Sequence, residues 1–406
     1  MKTPWRKLYV LSVAGGLSWL GSSLTAFAVI LRDKDHVGAT GIASYLLAYG
    51  VPSIFMAPIA GVVADKFTSR QVIVPTLVLM GLSSASLTFG FPVWWTLVSL
   101  LITASAGTMV GPAMQAVQVT YTNSDDVPRV SGLMQSTAAL GQLLAPAIGG
   151  ILVSTTGYIW PFLIDALSFW ILAAIFVAIG LNRKPVEHET GEKFSAVAGL
   201  KFVFGDRLIR ALLILIAVLV VALSSFNVGE VFLVKDELHA SDFVYGMVGA
   251  AFAAGSILGS VITSATKLNR KYHATAVIVG IGVLVSAIFG FSVSDRWSVA
   301  MGFALITGLG NASLNAYGMG IMMVRSPKEM LGRVNAAAGA IIQTGATIGV
   351  IISGVAISIW HVRPVILVSA IISALVLAVF GRDVIRYGRS FKDVSTKAEE
   401  NTQNAV

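Results

Sequence analysis

The 406-residue chain has no cysteine, five histidines and little charge, and each shortage narrows what it can be. Without cysteine there is no disulfide framework and no thiolate metal site. The histidines, His36, His188, His239, His273 and His361, stand apart in the sequence and read as interfacial side chains rather than a ligand set. Charged residues make up 12% of the chain, against about 25% in soluble globular proteins. A water-soluble fold cannot hide so much apolar surface. That argues against a soluble enzyme, a nucleic-acid binder and a secreted scaffold. No G-x4-G-K-[ST] loop, H-E-x-x-H or G-x-S-x-G is present, so ATP cradling, zincin and lipase chemistry lack their residues. No catalytic residue, metal or cofactor is expected, and the chain is not read as an enzyme.

What is abundant is apolar sequence: 56% of residues are hydrophobic and the mean hydropathy is +0.82. Twelve apolar segments can be marked, at 8–31, 41–64, 72–90, 94–120, 130–153, 160–181, 208–233, 243–265, 274–293, 297–322, 334–358 and 364–380. Each is near the ~20 residues that carry a helix across a ~30 Å hydrocarbon core. Lipid-facing segments must satisfy their own backbone hydrogen bonds, which at this length means helices. The predicted fold class is therefore all-α, a polytopic membrane protein with twelve spans. Lys2, Arg6 and Lys7 followed by an apolar run and Ala26-Phe27-Ala28 resemble a signal peptide. The run is too long for a signal core, and is read as the first span.

Lys and Arg set the topology. One loop side holds Arg32, Lys34, Lys235, Arg296 and Arg363, five of the 28 basic residues, and the other side holds the remaining 23. The positive-inside rule then puts both termini in the cytoplasm. In the same way it accounts for the net charge of +8, which in a soluble protein would point to nucleic acid.

The chain divides into an N-terminal half at 1–182, a cytoplasmic linker at 183–207, a C-terminal half at 208–387 and a polar, disordered tail at 388–406. Within the linker Phe194, Val197, Ala198 and Phe204 recur at helical spacing beside Lys193, Lys201 and Arg207. That pattern predicts an amphipathic helix on the inner membrane surface. A weak repeat at an offset of 204 relates the halves: Arg129-Val130-Ser131 meets Arg333-Val334-Asn335, Gly141 meets Gly345, Ala145 meets Gly349 and Gly150 meets Gly354. Small residues four apart let helix backbones approach. Their recurrence at matching places favours a duplicated six-helix unit, a known transporter architecture.

Three motifs give the chain a family resemblance. Gly61-Val-Val-Ala-Asp65-Lys66-Phe-Thr-Ser-Arg70 resembles the loop signature of the major facilitator superfamily, departing at Val63, Thr68 and Ser69. Gly141-x3-Ala145-Pro146-x2-Gly149-Gly150 is similar to the antiporter signature of that family's fifth helix, departing only at Ala145. Trp160-Pro161 and Ile164-Asp165-Ala166-Leu167-Ser168-Phe169 resemble the sixth helix of the drug:proton antiporter branch, with its macrolide-efflux-like permeases. Thr103 stands where the exporter pattern has an arginine, which argues against a proton relay on the fourth helix.

The resemblance implies two pseudo-symmetric six-helix bundles of the inner (plasma) membrane that work by alternating access, and the chain is read as a proton-coupled multidrug exporter. The resemblance also makes Gly61, Asp65, Lys66, Arg70 and Arg129 a conformational lock, with Asp65 set against the start of the eleventh helix. Pro146 predicts a bend, and Gly149 and Gly150 a thin outer end sealing against the eleventh helix. A carboxylate within a span is a functional hypothesis by default. Of the two, Glu230 is placed ahead of Asp165 for carrying a proton, because the resemblance makes the seventh helix a cavity helix and the sixth peripheral. Trp19, Ser22, Ser23, Met109, Met114, Gln115, Gln118, Ser224, Ser225, Asn227, Asn311, Asn315, Tyr317 and Met319 are the candidate cavity residues, with interhelix packing as the rival reading. No basic residue sits mid-span, so a neutral or mildly cationic lipophilic solute is expected. The expected partners are that solute, protons and membrane lipid, with no nucleic acid. Two other readings stay open: a dedicated exporter of one metabolite, lipid or siderophore, and a transport-inactive sensor or assembly subunit on the same fold.

Overall fold

A computed structural model describes residues 3–123, 126–183, 196–266, 268, 272–325 and 331–389, and among them there is no strand. The long helices are α1 (Trp5–Lys66), α2 (Ser69–Ser86), α3 (Val93–Tyr121), α4 (Val127–Thr156) and α5 (Ile159–Ile179), then a short α6 (Ala196–Gly205), then α7 (Arg207–Phe232), α8 (Asp242–Ala265), α9 (His273–Ser292), α10 (Trp297–Arg325), α11 (Leu331–Trp360) and α12 (Val362–Arg389). Eleven of these are long and apolar enough to cross a membrane.

The first of them carries two spans. Gly38 has φ 60° and ψ −167°, a region essentially restricted to glycine. There the chain folds back, because the Tyr45 hydroxyl donates to Asp33 Oδ2 at 2.9 Å. In an unbroken helix those residues would stand about 18 Å apart. The limbs at 5–37 and 39–66 are therefore two crossings, which makes twelve. A terminal face carries the start of α1 and the end of α5, where Lys7 donates to Ile179 O at 2.8 Å. The opposite, distal face carries the turn at Gly38.

Local chemistry fixes the helix starts. Thr68 and Gln71 form a reciprocal capping box for α2, Asp206 accepts from the Leu208 and Ile209 amides at the head of α7, and Ser241 accepts from Val244 at the head of α8. Large apolar side chains such as Leu82, Ile262, Ile352 and Val379 stay exposed on the flanks, as suits helices solvated by hydrocarbon.

The helix pairs repeat between the halves. The first limb of α1 packs on α4 and α5, as α7 packs on α11 and α12; the second limb packs on α3, as α8 packs on α10; α2 packs on α3 and α5, as α9 packs on α10 and α12. The turns repeat too. Gly157 (φ 77°) donates its amide to Val153, and His361 (φ 65°), 204 positions on, donates its amide to Ile357. Both are left-handed caps that close a helix hairpin; the second tolerates histidine where the first uses glycine.

Two features differ from the sequence reading. The linker helix α6 does not rest its apolar face on lipid alone: Val203 is fully buried with Ile209, Leu213, Met322, Val334, Ala337 and Ala338 of α7, α10 and α11. The last span extends to Arg389, beyond the predicted end at 380, because Arg382, Asp383 and Arg386 continue a helix whose Val384 is buried. Phe194 and the tail from 390 onward lie outside the described residues.

Candidate functional site

The N-terminal half carries a half-open cavity of about 400 Å³ lined by Trp19, Ser22, Ser23, Tyr45, Tyr49 and Gln142, with apolar walls from Val29, Ile30, Leu46 and Leu100. Its volume falls in the range of small-molecule sites. Trp19 is 52% and Tyr49 36% exposed. Both limbs of α1 supply the wall, so the reversal at Gly38 is what brings Trp19 and Tyr49 together. The sequence reading named Trp19, Ser22 and Ser23 but passed over Tyr45, Tyr49 and Gln142. The spacing of the two tyrosines, four apart on one helical face, was the available signal.

Behind Ser22 lies Asp165, 1% exposed. Its Oδ2 accepts from Thr25 at 2.9 Å and Ser84 at 2.8 Å, and its Oδ1 accepts from Ser22 at 3.2 Å. A small pocket joins these groups to Tyr49, Ser99 and Thr103. α1 approaches α5 closely enough for this because residue 21 is glycine: a methyl carbon there would stand 2.8 Å from the Cα of Asp165. Glu230 is half-buried near the distal end of α7, close to Tyr245, and has no hydrogen-bond partner among the described residues.

The other candidate cavity residues are dispersed. Met109 lines an apolar groove of about 380 Å³ between α2 and α3, away from Trp19. Met114 packs in the α1–α2–α3 core. Gln115 is exposed, and Gln118 donates to Ser131 on α4. Ser225 and Ser353 bond each other at 2.8 Å, and Ser224 donates to Ala346; these tie α7 to α11. Asn227 is exposed, Asn315 bonds Asn311 along α10, and the Tyr317 ring meets His273 on α9. The side chain of Met319 lies outside the described ones.

The glycine motif of α4 faces two ways. Toward the first limb of α1, a methyl carbon on Gly141 would lie 2.5 Å from Gly16 O, and one on Gly149 would lie 2.8 Å from the Phe27 ring. Toward α8, a methyl carbon on Gly150 would lie 2.9 Å from the Cα of Gly246, and Pro146 packs on Gly249. Ala145 is buried. The partner of α4 across the halves is thus α8, not the expected α11. In turn α11 meets the second limb of α1, where Gly354 sits against Ala39 and Ala43. The swap follows from the pseudo-two-fold: related helices face each other's neighbours, not each other.

Of the lock residues, the side chains of Gly61 and Asp65 lie outside the described ones. Lys66 and Arg70 are exposed, and Arg129 stacks over the Trp5 ring at 4.6 Å. Arg183 donates to Ala64 O at 2.9 Å, holding the end of the second limb.

The distal face carries dense charge. Arg32 binds Asp33 at 2.7 Å, Leu87 O at 3.0 Å and Thr96 at 2.8 Å, and lies over the Phe162 ring. Lys34 bonds Asp35 at 2.6 Å and, across the halves, Asp236 at 2.5 Å. Phe27 stacks on Tyr245 of α8 with centroids 5.1 Å apart. The Tyr158 phenol is pushed up by burial and then by the carboxylates of Asp242 and Asp35, one from each half.

Twelve spans in two like halves that meet at the distal face, with a cavity and a buried acid in the N-terminal half, define a polytopic membrane carrier. The family model of the Major Facilitator Superfamily matches residues 11–232 and again 214–399, and the chain belongs to that superfamily. It is 23% identical over 355 residues to "Multidrug efflux pump Tap" of Mycobacterium bovis (strain BCG / Pasteur 1173P2), covering 82% of each chain. It is 20% identical over 369 residues to "Macrolide efflux protein A" of Streptococcus pyogenes, covering 86% of this chain and 89% of that one. It is 24% identical to "Multidrug resistance protein 1" of Bacillus subtilis (strain 168) over 57% of this chain, spanning 58% of that protein's length. Among solved structures, the nucleoside transporter NupG superposes with a TM-score of 0.73 at 16% identity, covering 95% of this chain and 99% of that one.

Proposed function

We propose that this chain is a secondary active exporter that moves lipophilic, neutral or mildly cationic small molecules out of the cell by alternating access, driven by the proton gradient. The observation that carries this reading is the closure of the halves on each other toward the distal face among the described residues. Lys34 with Asp236, Phe27 with Tyr245, Gly150 with Gly246, and Gly354 with Ala43 all join the halves toward the distal face. Two like halves that meet at one face can rock about the cavity between reciprocal states. The excess of Lys and Arg supports assigning the terminal face to the cytoplasm of the inner (plasma) membrane, which puts the closed distal face outside.

The relatives' names, multidrug and macrolide efflux, support export of small molecules. The Trp19–Tyr49 wall offers stacking area, and no fixed cation in it would repel an amine. One proton moving down about 100 mV supplies about 2.3 kcal/mol, enough for roughly a fifty-fold gradient. Glu230 and Asp165 are the candidate proton carriers, the Asp65 region the candidate lock, and the Gly141–Gly150 segment the close-packed seam. The test is inside-out vesicles loaded with the fluorescent cation ethidium outside and an imposed pH gradient, acid inside. Accumulation that collapses when the gradient is dissipated is the expected result. Uptake indifferent to the pH gradient would rule out proton coupling, and no uptake of ethidium or of a macrolide would rule out the exporter reading.

A further inference from the structure

Asp165 sits in a hydrogen-bond arrangement that has two complete forms. In the ionised form Thr25 and Ser84 donate to Oδ2 and Ser22 donates to Oδ1. The Ser22 hydroxyl has a second acceptor, the Ser18 carbonyl at 3.1 Å. If a proton is added on Oδ1, the carboxylic acid donates to Ser22 Oγ and Ser22 turns its own proton to Ser18. Thr25 and Ser84 stay on Oδ2. One hydroxyl rotation satisfies the neutral acid as fully as the charged one. Ser84 likewise has a second acceptor, the Phe162 carbonyl at 3.2 Å, so neither protonation state leaves a hydroxyl of the site unpaired.

We propose that Asp165 is the proton-binding site of the N-terminal half, loaded from the Trp19–Tyr49 cavity through Ser22. Ser22 lines both the cavity and the Asp165 pocket, which gives the proton its path. The step is balanced: a proton leaves hydronium in the cavity, one O–H bond forms on Oδ1, and water is left behind. Among the described residues no cation competes for the carboxylate. The ionisable group facing it from the second limb of α1 is Tyr49. Arg32 stands over Phe162, one turn along α5, but is engaged by Asp33, Leu87 and Thr96. The basic residues of α2 and α4, Arg70 and Arg129, lie at the far, terminal ends of their helices.

This ranks Asp165 above Glu230, the reverse of the sequence expectation. The reason is tertiary: the sixth span is peripheral by position in the family, yet Gly21 lets α1 press onto it and bring Ser22 to its carboxylate. The role of the site in transport rests on the exporter reading; the proton site itself does not.

Infrared difference spectroscopy of the lipid-reconstituted protein over a pH titration reads the site directly. The wild type should show a protonated-carboxyl band that fades as pH rises. Asp165→Asn should lack it and Glu230→Gln should keep it. Thr25→Val should carry the midpoint to higher pH, because the lost hydroxyl favours the charged oxygen more than the neutral one. A band that survives Asp165→Asn, or a midpoint unmoved by Thr25→Val, overturns the proposal. If Asp165→Asn does not fold, the wild-type, Glu230→Gln and Thr25→Val spectra still decide. In the vesicle assay Asp165→Asn should lose uphill ethidium accumulation and retain downhill flux. Normal uphill accumulation in that variant sinks the site and leaves the exporter reading intact. Failure of the wild type to transport, with the band still titrating, does the opposite.

Discussion

A methyl carbon built on Gly246 would lie 2.6 Å from the Cα of Gly150. These two glycines, one from each half, are where α4 and α8 touch backbone to backbone, and neither position has room for a side chain.

Gly150→Leu should therefore wedge the distal face open. Overpacking a tight contact costs about 1–3 kcal/mol, which moves a two-state ratio by roughly tenfold or more. Passive leak of ethidium should rise while the amount of protein stays similar. Combined with Gly246→Leu the effect should be strongly non-additive, because both changes break one contact. Combined with Gly349→Leu it should be additive, since Gly349 faces Val221 and Ser224 of α7 and not the seam. Non-additivity in the second pair would instead mean that α4 and α11 share a seal.

Lys34–Asp236 is the one salt bridge among the described residues that crosses the halves, with the lysine side chain 6% and the aspartate 48% exposed. Asp236→Asn leaves Lys34 with Asp35 as its remaining carboxylate. Because one partner is half-exposed, the loss should be about 1 kcal/mol. Spin labels at Ser154 and Arg296 would report a larger population of distally open molecules. The reversed pair, Lys34→Asp with Asp236→Lys, should restore the wild-type distribution; an unchanged distribution in Asp236→Asn would make the pair ornamental.

Orientation can be read by single-cysteine labelling, since the chain has no cysteine to give a background. Ser154→Cys and Arg296→Cys, both exposed on the distal face, should react with an impermeant maleimide in intact cells. Arg70→Cys, exposed on the terminal face, should react only after permeabilisation. The neighbouring Ser69 is buried and makes a poor reporter. Labelling of Arg70→Cys from outside would invert the topology.

The short helix α6 offers a stability test. Val203→Ala removes two buried methyl groups from the cluster with Leu213, Val334 and Ala337, at about 2 kcal/mol. Thermal unfolding in lipid should register this loss. A midpoint equal to wild type would mean that α6 rests on the bilayer and not on α7 and α11.

Much of this protein is written in local sequence. Span number and helical class follow from apolar run length, because a bilayer imposes one length and one backbone solution on every crossing. The duplication was legible in Gly141, Gly150 and Arg129 and their counterparts 204 positions on, and the structure sets those glycines at corresponding contacts. The lining of the cavity was legible only in part. Trp19 and Ser22 could be picked out as polar or aromatic residues on an early span, whereas Tyr49 joins them only because Gly38 folds the chain back. Which helix α4 seals against was not legible at all: a glycine ridge records that something approaches closely, not what. The surroundings of Asp165 were hidden for the same reason. Ser22, Thr25 and Ser84 come from two other helices, and no spacing within a single span encodes a hydrogen bond made across three.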